Sequence, residues 1–235
     1  MTLPGETVPS SLSALTVIPI NAALPKGVLF RVTTPPIAPL LAGLFGEQAL
    51  LALQLVVGLN RSGNPDVDGV GLVRADELPP GEGAGWILAP FVRPPGPGNA
   101  SQFSDGTYGV WYGADSLATA QAEVGYHLAR WLAKTQATPD RLERSVILAI
   151  GDAARPLVDL RAPGSAPRHV LHPTDYAAAQ AFGAACRRAD FWGLLWPSVR
   201  AEGIAAGMFR PRALLHARLI GTCSAEWDGE CVTWV

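Results

Sequence analysis

Residues 101–131 read SQFSDGTYGVWYGADSLATAQAEVGYHLARW, a glycine-punctuated strand running straight into an amphipathic helix. Thr107 to Ala114 has the pattern of a strand. Tyr108, Val110 and Tyr112 alternate with small residues or Trp111, so both tyrosines project from one face of the pleat and Tyr112 stands at the strand's end. Asp115 or Ser116 then offers a side-chain oxygen to the free N–H groups of a helix start. Leu117, Ala120, Val124, Leu128 and Trp131 recur at three- and four-residue steps and predict the buried stripe of that helix. Glu123 lies beside the stripe, where a helix can present a carboxylate to a cleft. Gly109 and Gly113 are expected to leave room for a ligand near Tyr112.

Outward from this stretch the chain reads as mixed strands and helices. Residues 1–26 contain Pro and Ser with weak periodicity and are expected to form an irregular arm. Gly27 to Val32 reads as a strand carrying one charge, Arg31, and Thr33-Thr34-Pro35-Pro36 ends it because proline removes a ladder donor. Leu40 to Val57 predicts a helix, Asn60 to Gly71 a turn-rich segment, and Trp86 to Val92 a short strand between Gly/Pro loops. Further strands are expected at Ser145–Ile150, Leu157–Leu160, Phe191–Trp196, Ile204–Phe209, Leu214–Leu219 and Cys231–Val235. Thr174 to Arg188 reads as a helix capped by Thr174. The fold class expected is α+β, with residues 27–235 forming one domain.

Composition excludes several functions. The chain has 235 residues, 16% charged and 49% hydrophobic, with 25 Gly and 21 Pro, which describes a loop-rich globular protein. A formal charge of −2 and the lack of a Lys/Arg run argue against nucleic-acid binding. Leu40 to Leu59 is the most apolar stretch, but Glu47, Gln54 and its glycines argue for a buried helix over a membrane span. The N-terminus lacks the basic and apolar regions of a signal peptide. Cys186, Cys223 and Cys231 have no metal-ligand spacing, so free thiols in a reducing cytoplasm are expected and no metal site is predicted. No Gly-x-Gly-x-x-Gly motif opens a helix after a strand, which leaves a Rossmann dehydrogenase unsupported.

Taken singly, the polar residues have ordinary structural readings. Glu123 has His127 at i+4 as a pairing partner, and Arg31 reads equally as an edge-strand charge. As a set, Arg31, Tyr112, Glu123 and Ser198 each fall at the end of a strand or on the helix after one. The motifs QFSDGTYGVWYGADSLATAQAEVGYH (102–127), DYAAAQAFG (175–183) and WPSVRAEGIAAGMFRPRAL (196–214) resemble the RES domain family, named for Arg, Glu and Ser residues. LFRV (29–32) and LNRSGNPDVDG (59–69) carry the likeness more weakly.

This resemblance implies a fold similar to the ADP-ribosyltransferases such as diphtheria toxin, a mixed sheet with flanking helices around an NAD cleft. It implies a bacterial toxin that releases nicotinamide from NAD and passes ADP-ribose to water, phosphate or a protein. It also implies neutralisation by an Xre-like antitoxin whose tail occupies the cleft, with a mouth expected near Phe103, Trp111 and Trp196. On the matching positions, Glu123 would stabilise the ribosyl cation, Tyr112 would stack on nicotinamide and Arg31 would grip the pyrophosphate. Ser198 would hydrogen-bond the ribose or the nicotinamide amide, with Arg200 in support. The sequence departs from the family at Gln102, where Arg is usual. A neutral amide cannot supply that charge, so attenuated catalysis is expected. The alternative is an inactive nucleotide- or partner-binding module.

Overall fold

The structure is a computed structural model that describes residues 12, 15–34, 73, 75–79, 83–92, 96–167 and 169–235. The strands are β1 (Val17–Ile18), β2 (Val28–Thr33), β3 (Trp111–Ala114), β4 (Asp140–Gly151), β5 (Leu157–Asp159), β6 (Gly193–Pro197), β7 (Ile204–Met208), β8 (Leu214–Trp227) and β9 (Val232–Trp234). The helices are α1 (Ile20–Ala23), α2 (Ala84–Leu88), α3 (Leu117–Lys134) and α4 (Ala177–Arg188). Among the described residues nine strands form one sheet in the order β1-β5-β6-β7-β3-β2-β4-β8-β9. Only β5 and β6 pair in parallel, so the architecture is a mixed sheet with flanking helices, α+β as expected.

Alternation along the strands sorts the core into two faces. Leu29, Trp111, Ile147, Leu195 and Met208 point to one side and pack with Ile20, Leu24, Ile87 and Leu88. Their immediate neighbours along each strand point to the other. There Leu194 and Trp196 meet Phe182 and Cys186 of α4, and Phe30, Val32 and Ala114 meet Ala120 of α3. β4 carries the longest pairing, with β2 on one side and β8 on the other.

Several local expectations change in the folded chain. Residues 17–23 of the expected irregular arm include β1, which pairs with β5, and α1, which buries Ile20. Trp86 to Val92 is not a strand: Ala84–Leu88 is helical, and Ile87, Leu88, Phe91 and Val92 bury one side at helical spacing. The strand from Thr107 shortens to Trp111–Ala114, because residues 101–108 fold on themselves. Ser104 Oγ donates to the Tyr108 carbonyl at 2.6 Å and Tyr108 donates to the Phe103 carbonyl at 2.6 Å. α4 starts at Ala177, three residues after Thr174, with Asp175 Oδ1 accepting the Ala177 N–H. The expected helix at Leu40–Val57 and the turn segment at Asn60–Gly71 lie outside the described residues. Among the described residues no helix is long and apolar enough to cross a membrane, and no cluster of His, Cys, Asp or Glu could hold a metal. All three cysteines are free thiols, with Cys186 buried.

Candidate functional site

α3 begins where β3 ends, and the junction is held tightly. Asp115 N–H donates to the Ile204 carbonyl at 2.9 Å, and Ser116 is the cap, its Oγ accepting the Thr119 N–H at 3.1 Å. The helix is therefore fixed at its origin and crosses β2 and β3. Between α3 and the sheet lies a cavity of about 770 Å³. The stripe predicted to be buried only partly packs against the sheet: Ala120 and Val124 join the cluster of Val32 and Ala114, yet Ala120, Val124, Leu128 and Trp131 all line the cavity, and Trp131 is 60% exposed.

Glu123 lines the cavity from the flank of that stripe. Its partner is not His127 but Ser198, whose Oγ donates to Glu123 Oε1 at 2.5 Å. The Ser198 oxygen in turn accepts the N–H groups of Arg200 and Ala201 at 3.1 and 3.3 Å. With its lone pairs held by the turn, the hydroxyl proton is directed at the carboxylate, a short charge-assisted contact. Ser198 is not itself a lining residue of the cavity.

Tyr112 lies on the same wall, with its ring 6.3 Å from that of Trp196 and perpendicular to it. Its phenol oxygen accepts the Phe103 N–H at 3.0 Å and shares a 2.9 Å hydrogen bond with Ser101 Oγ. Burial pushes this phenol up to about 12, so it is neutral and serves to pin the 101–104 loop. Arg31 Nη1 donates to the Tyr112 carbonyl at 2.9 Å, and its guanidinium lies 5.3 Å from the Trp111 ring centroid. Arg31 and Tyr112 also line a second cavity of about 180 Å³, together with Ala100 and Ser101. Gln102 is buried in the wall of the larger cavity, and its Nε2 has no hydrogen-bond partner.

The sequence-predicted residues thus converge on one place, with differences in detail. Arg31, Gln102, Tyr112 and Glu123 line the cavity, and Ser198 reaches it through Glu123. Arg200 stands outside the lining: it donates to the Pro173 carbonyl, and its guanidinium carbon lies 3.3 Å from the Tyr126 ring centroid. Gly109 and Gly113 line the cavities, but an added Cβ would strike Pro90 O at 2.0 Å and the Trp111 ring at 2.6 Å, so their space is filled by protein. Phe103, Trp111 and Trp196 do not form an exposed mouth, because all three are buried in the core.

Two lining residues escaped the sequence reading. Arg144 of β4 brings a second guanidinium to the cavity. Its signal was strand parity, since Leu142, Arg144 and Val146 share a face, but the expected strand began one residue too late. His127 stands exposed at the rim, flanked by the rings of Tyr126 and Tyr176. Partial desolvation, then repulsion from Arg200 and Arg130, holds its imidazole below the ordinary value.

The cavity is thus lined by one carboxylate residue, Glu123, and by two arginines, Arg31 and Arg144. The model of the RES domain matches residues 72–228, more than half of the chain, and the chain belongs to the RES domain family. No curated protein gives a significant match. Among solved structures, the chain is similar to one described as the crystal structure of the M. tuberculosis MbcT–MbcA toxin–antitoxin complex. The identity is 17%, the match covers 86% of this chain and 84% of that one, and the TM-score is 0.38.

Proposed function

We propose that this chain is the toxin of a toxin–antitoxin pair and that it cleaves the bond between nicotinamide and ribose in NAD. The observation that carries the reading is the Ser198–Glu123 contact at the wall of a cavity that also holds Arg31 and Arg144. Guanidiniums suit a ligand with phosphates, and an oriented carboxylate suits one that develops positive charge elsewhere.

Cleavage is heterolytic. The C–N bond breaks, its electron pair leaves with nicotinamide, and the ribose C1′ becomes an oxocarbenium ion, as at glycosidase centres. Glu123 stabilises that cation and accepts a hydrogen bond from the ribose 2′-hydroxyl. Ser198 acts as a positioning residue, holding one carboxylate oxygen so that the other is aimed. Tyr112 offers its ring to the nicotinamide, and Arg31 grips the pyrophosphate. Arg200 supports the Ser198 turn through its own N–H. Water, phosphate or a protein side chain then adds at C1′ and loses its proton to solvent. NAD is consumed as substrate, and no metal takes part.

Gln102 supports a second reading, an inactive binding module, since the family's usual Arg is replaced by a neutral amide. One assay separates the two: nicotinamide release from NAD by the purified chain and by Glu123→Gln. Release by the parent, lost in the variant, supports the enzyme. Absence of release by the parent refutes it.

The family resemblance extends the proposal to a cytoplasmic protein held by an Xre-like antitoxin. The exposed Trp131 at the cavity rim gives such a partner an aromatic anchor. Co-purification with the product of the neighbouring reading frame tests this, and a consistently free chain refutes it.

A further inference from the structure

The cavity wall contains two buried donors that meet no acceptor. Gln102 is 7% exposed and ends on Nε2, and Trp196 is 2% exposed and carries Nε1–H. Neither nitrogen has a hydrogen-bond partner among the described residues, and both side chains line the cavity. Folded proteins satisfy nearly every buried polar group, because an unmet one has lost its water for nothing. Three other indoles of this chain follow that rule. Trp111 Nε1 donates to the Trp86 carbonyl at 3.1 Å, Trp227 to Ala137 at 3.0 Å and Trp234 to Gln121 at 3.0 Å. Trp196 departs from it, although its ring is held firmly against Phe103, 4.8 Å away, and near Tyr112.

We infer that Trp196 is a substrate-binding residue, and that its Nε1–H and Gln102 Nε2 together receive one oxygen acceptor of the bound dinucleotide. The inference rests on the NAD reading of the cavity and adds to it a contact and a polarity. Two neutral donors match an oxygen with two lone pairs. Such an oxygen occurs on the carboxamide of the nicotinamide and on the pyrophosphate. A ligand presenting an N–H or C–H at that point would leave both donors unmet, so the pair selects for an acceptor there.

The test is a titration of the ¹⁵N-labelled full chain, with the Trp196 indole signal assigned through its backbone and checked by Trp196→Phe. Nicotinamide and ADP-ribose are added in separate arms. The Trp196 Nε1–H and Gln102 amide signals should move downfield in one arm, nicotinamide identifying the carbonyl as acceptor and ADP-ribose a phosphate oxygen. Movement of the His127 and Trp131 signals without those two overturns the inference and leaves the NAD reading standing. Silence of every signal in both arms overturns both. Trp196→Phe keeps a ring against Phe103 but removes the donor together with part of the indole, so its folding is checked by thermal melting. It should raise KM for NAD roughly tenfold with kcat largely kept, the signature of a lost binding hydrogen bond.

Discussion

Replacing Ser198 by Ala removes a single oxygen and tests how Glu123 works. The lost contact is a 2.5 Å hydrogen bond to a carboxylate, half-buried beside a cavity. Hydrogen bonds to charged groups contribute about 1.5–3 kcal/mol, so nicotinamide release should fall on the order of ten- to a hundredfold. Glu123→Gln removes the charge itself and should cost about 10²–10³-fold in kcat. Ser198 touches Glu123 and the turn but does not line the cavity, so its effect should pass entirely through the carboxylate. The double variant should therefore be no slower than Glu123→Gln alone, a strong departure from additivity. Ser198→Thr keeps the hydroxyl and should recover most of the rate. The four proteins are compared by kcat and KM for NAD, with thermal melting to confirm folding. If the two losses multiply, Ser198 contacts the substrate directly and the positioning role is wrong.

Other expectations follow from the same geometry. Arg31→Lys cannot reproduce a planar fork and should raise KM for NAD with little change in kcat; unaltered NAD affinity by calorimetry excludes Arg31 as the phosphate grip. Gln102→Arg should raise nicotinamide release at least about tenfold, by restoring a charge-assisted contact, and should make expression without an antitoxin toxic. Equal rates and equal colony growth would show Gln102 to be a neutral replacement. The Asp159–Arg161 pair sets a pH effect. A hydrogen bond from the Arg161 side chain leads the causes that hold the Asp159 carboxyl below its ordinary 3.8, so its contribution is present above that pH and is lost as pH falls through the lowered value. Asp159→Asn should lower stability by about 0.2–1 kcal/mol near neutrality, and its denaturation curve should approach the parent's in strong acid. A difference that persists there means the pair is not its source.

The parts of this site legible in the sequence are those set by short-range pattern. The Ser116 cap and the period of α3 follow from local chemistry, and β2 appears as an apolar run that carries Arg31, whereas the strand expected from Ser145 stopped short of Arg144. What escaped depended on contacts between distant segments. Tyr108 was read as part of a strand because alternation cannot reveal that its hydroxyl returns to the Phe103 carbonyl. Ser198 and Glu123 are 75 positions apart, and no periodicity predicts their meeting; the family motif pointed to each separately. Trp196 looked like a surface aromatic at a cleft mouth because apolar size says nothing about depth. Only the sheet order, which sets β6 beside β7 under α4, buries it.

The apolar stripe of α3 divides the duties of a single helix. Ala120 and Val124 pack against Val32 and Ala114, and Leu132 is buried further along, whereas Leu128 and Trp131 look onto open volume. Truncating a packed Leu leaves a void that its neighbours fill only in part, at about 2–5 kcal/mol. Truncating Leu128 enlarges a space that already exists. This surface is therefore open to sequence change at small cost in folding, and each such change reshapes the chamber presented to a ligand or an inhibitory tail. Chains of this fold can diverge in what they admit without first having to become more stable.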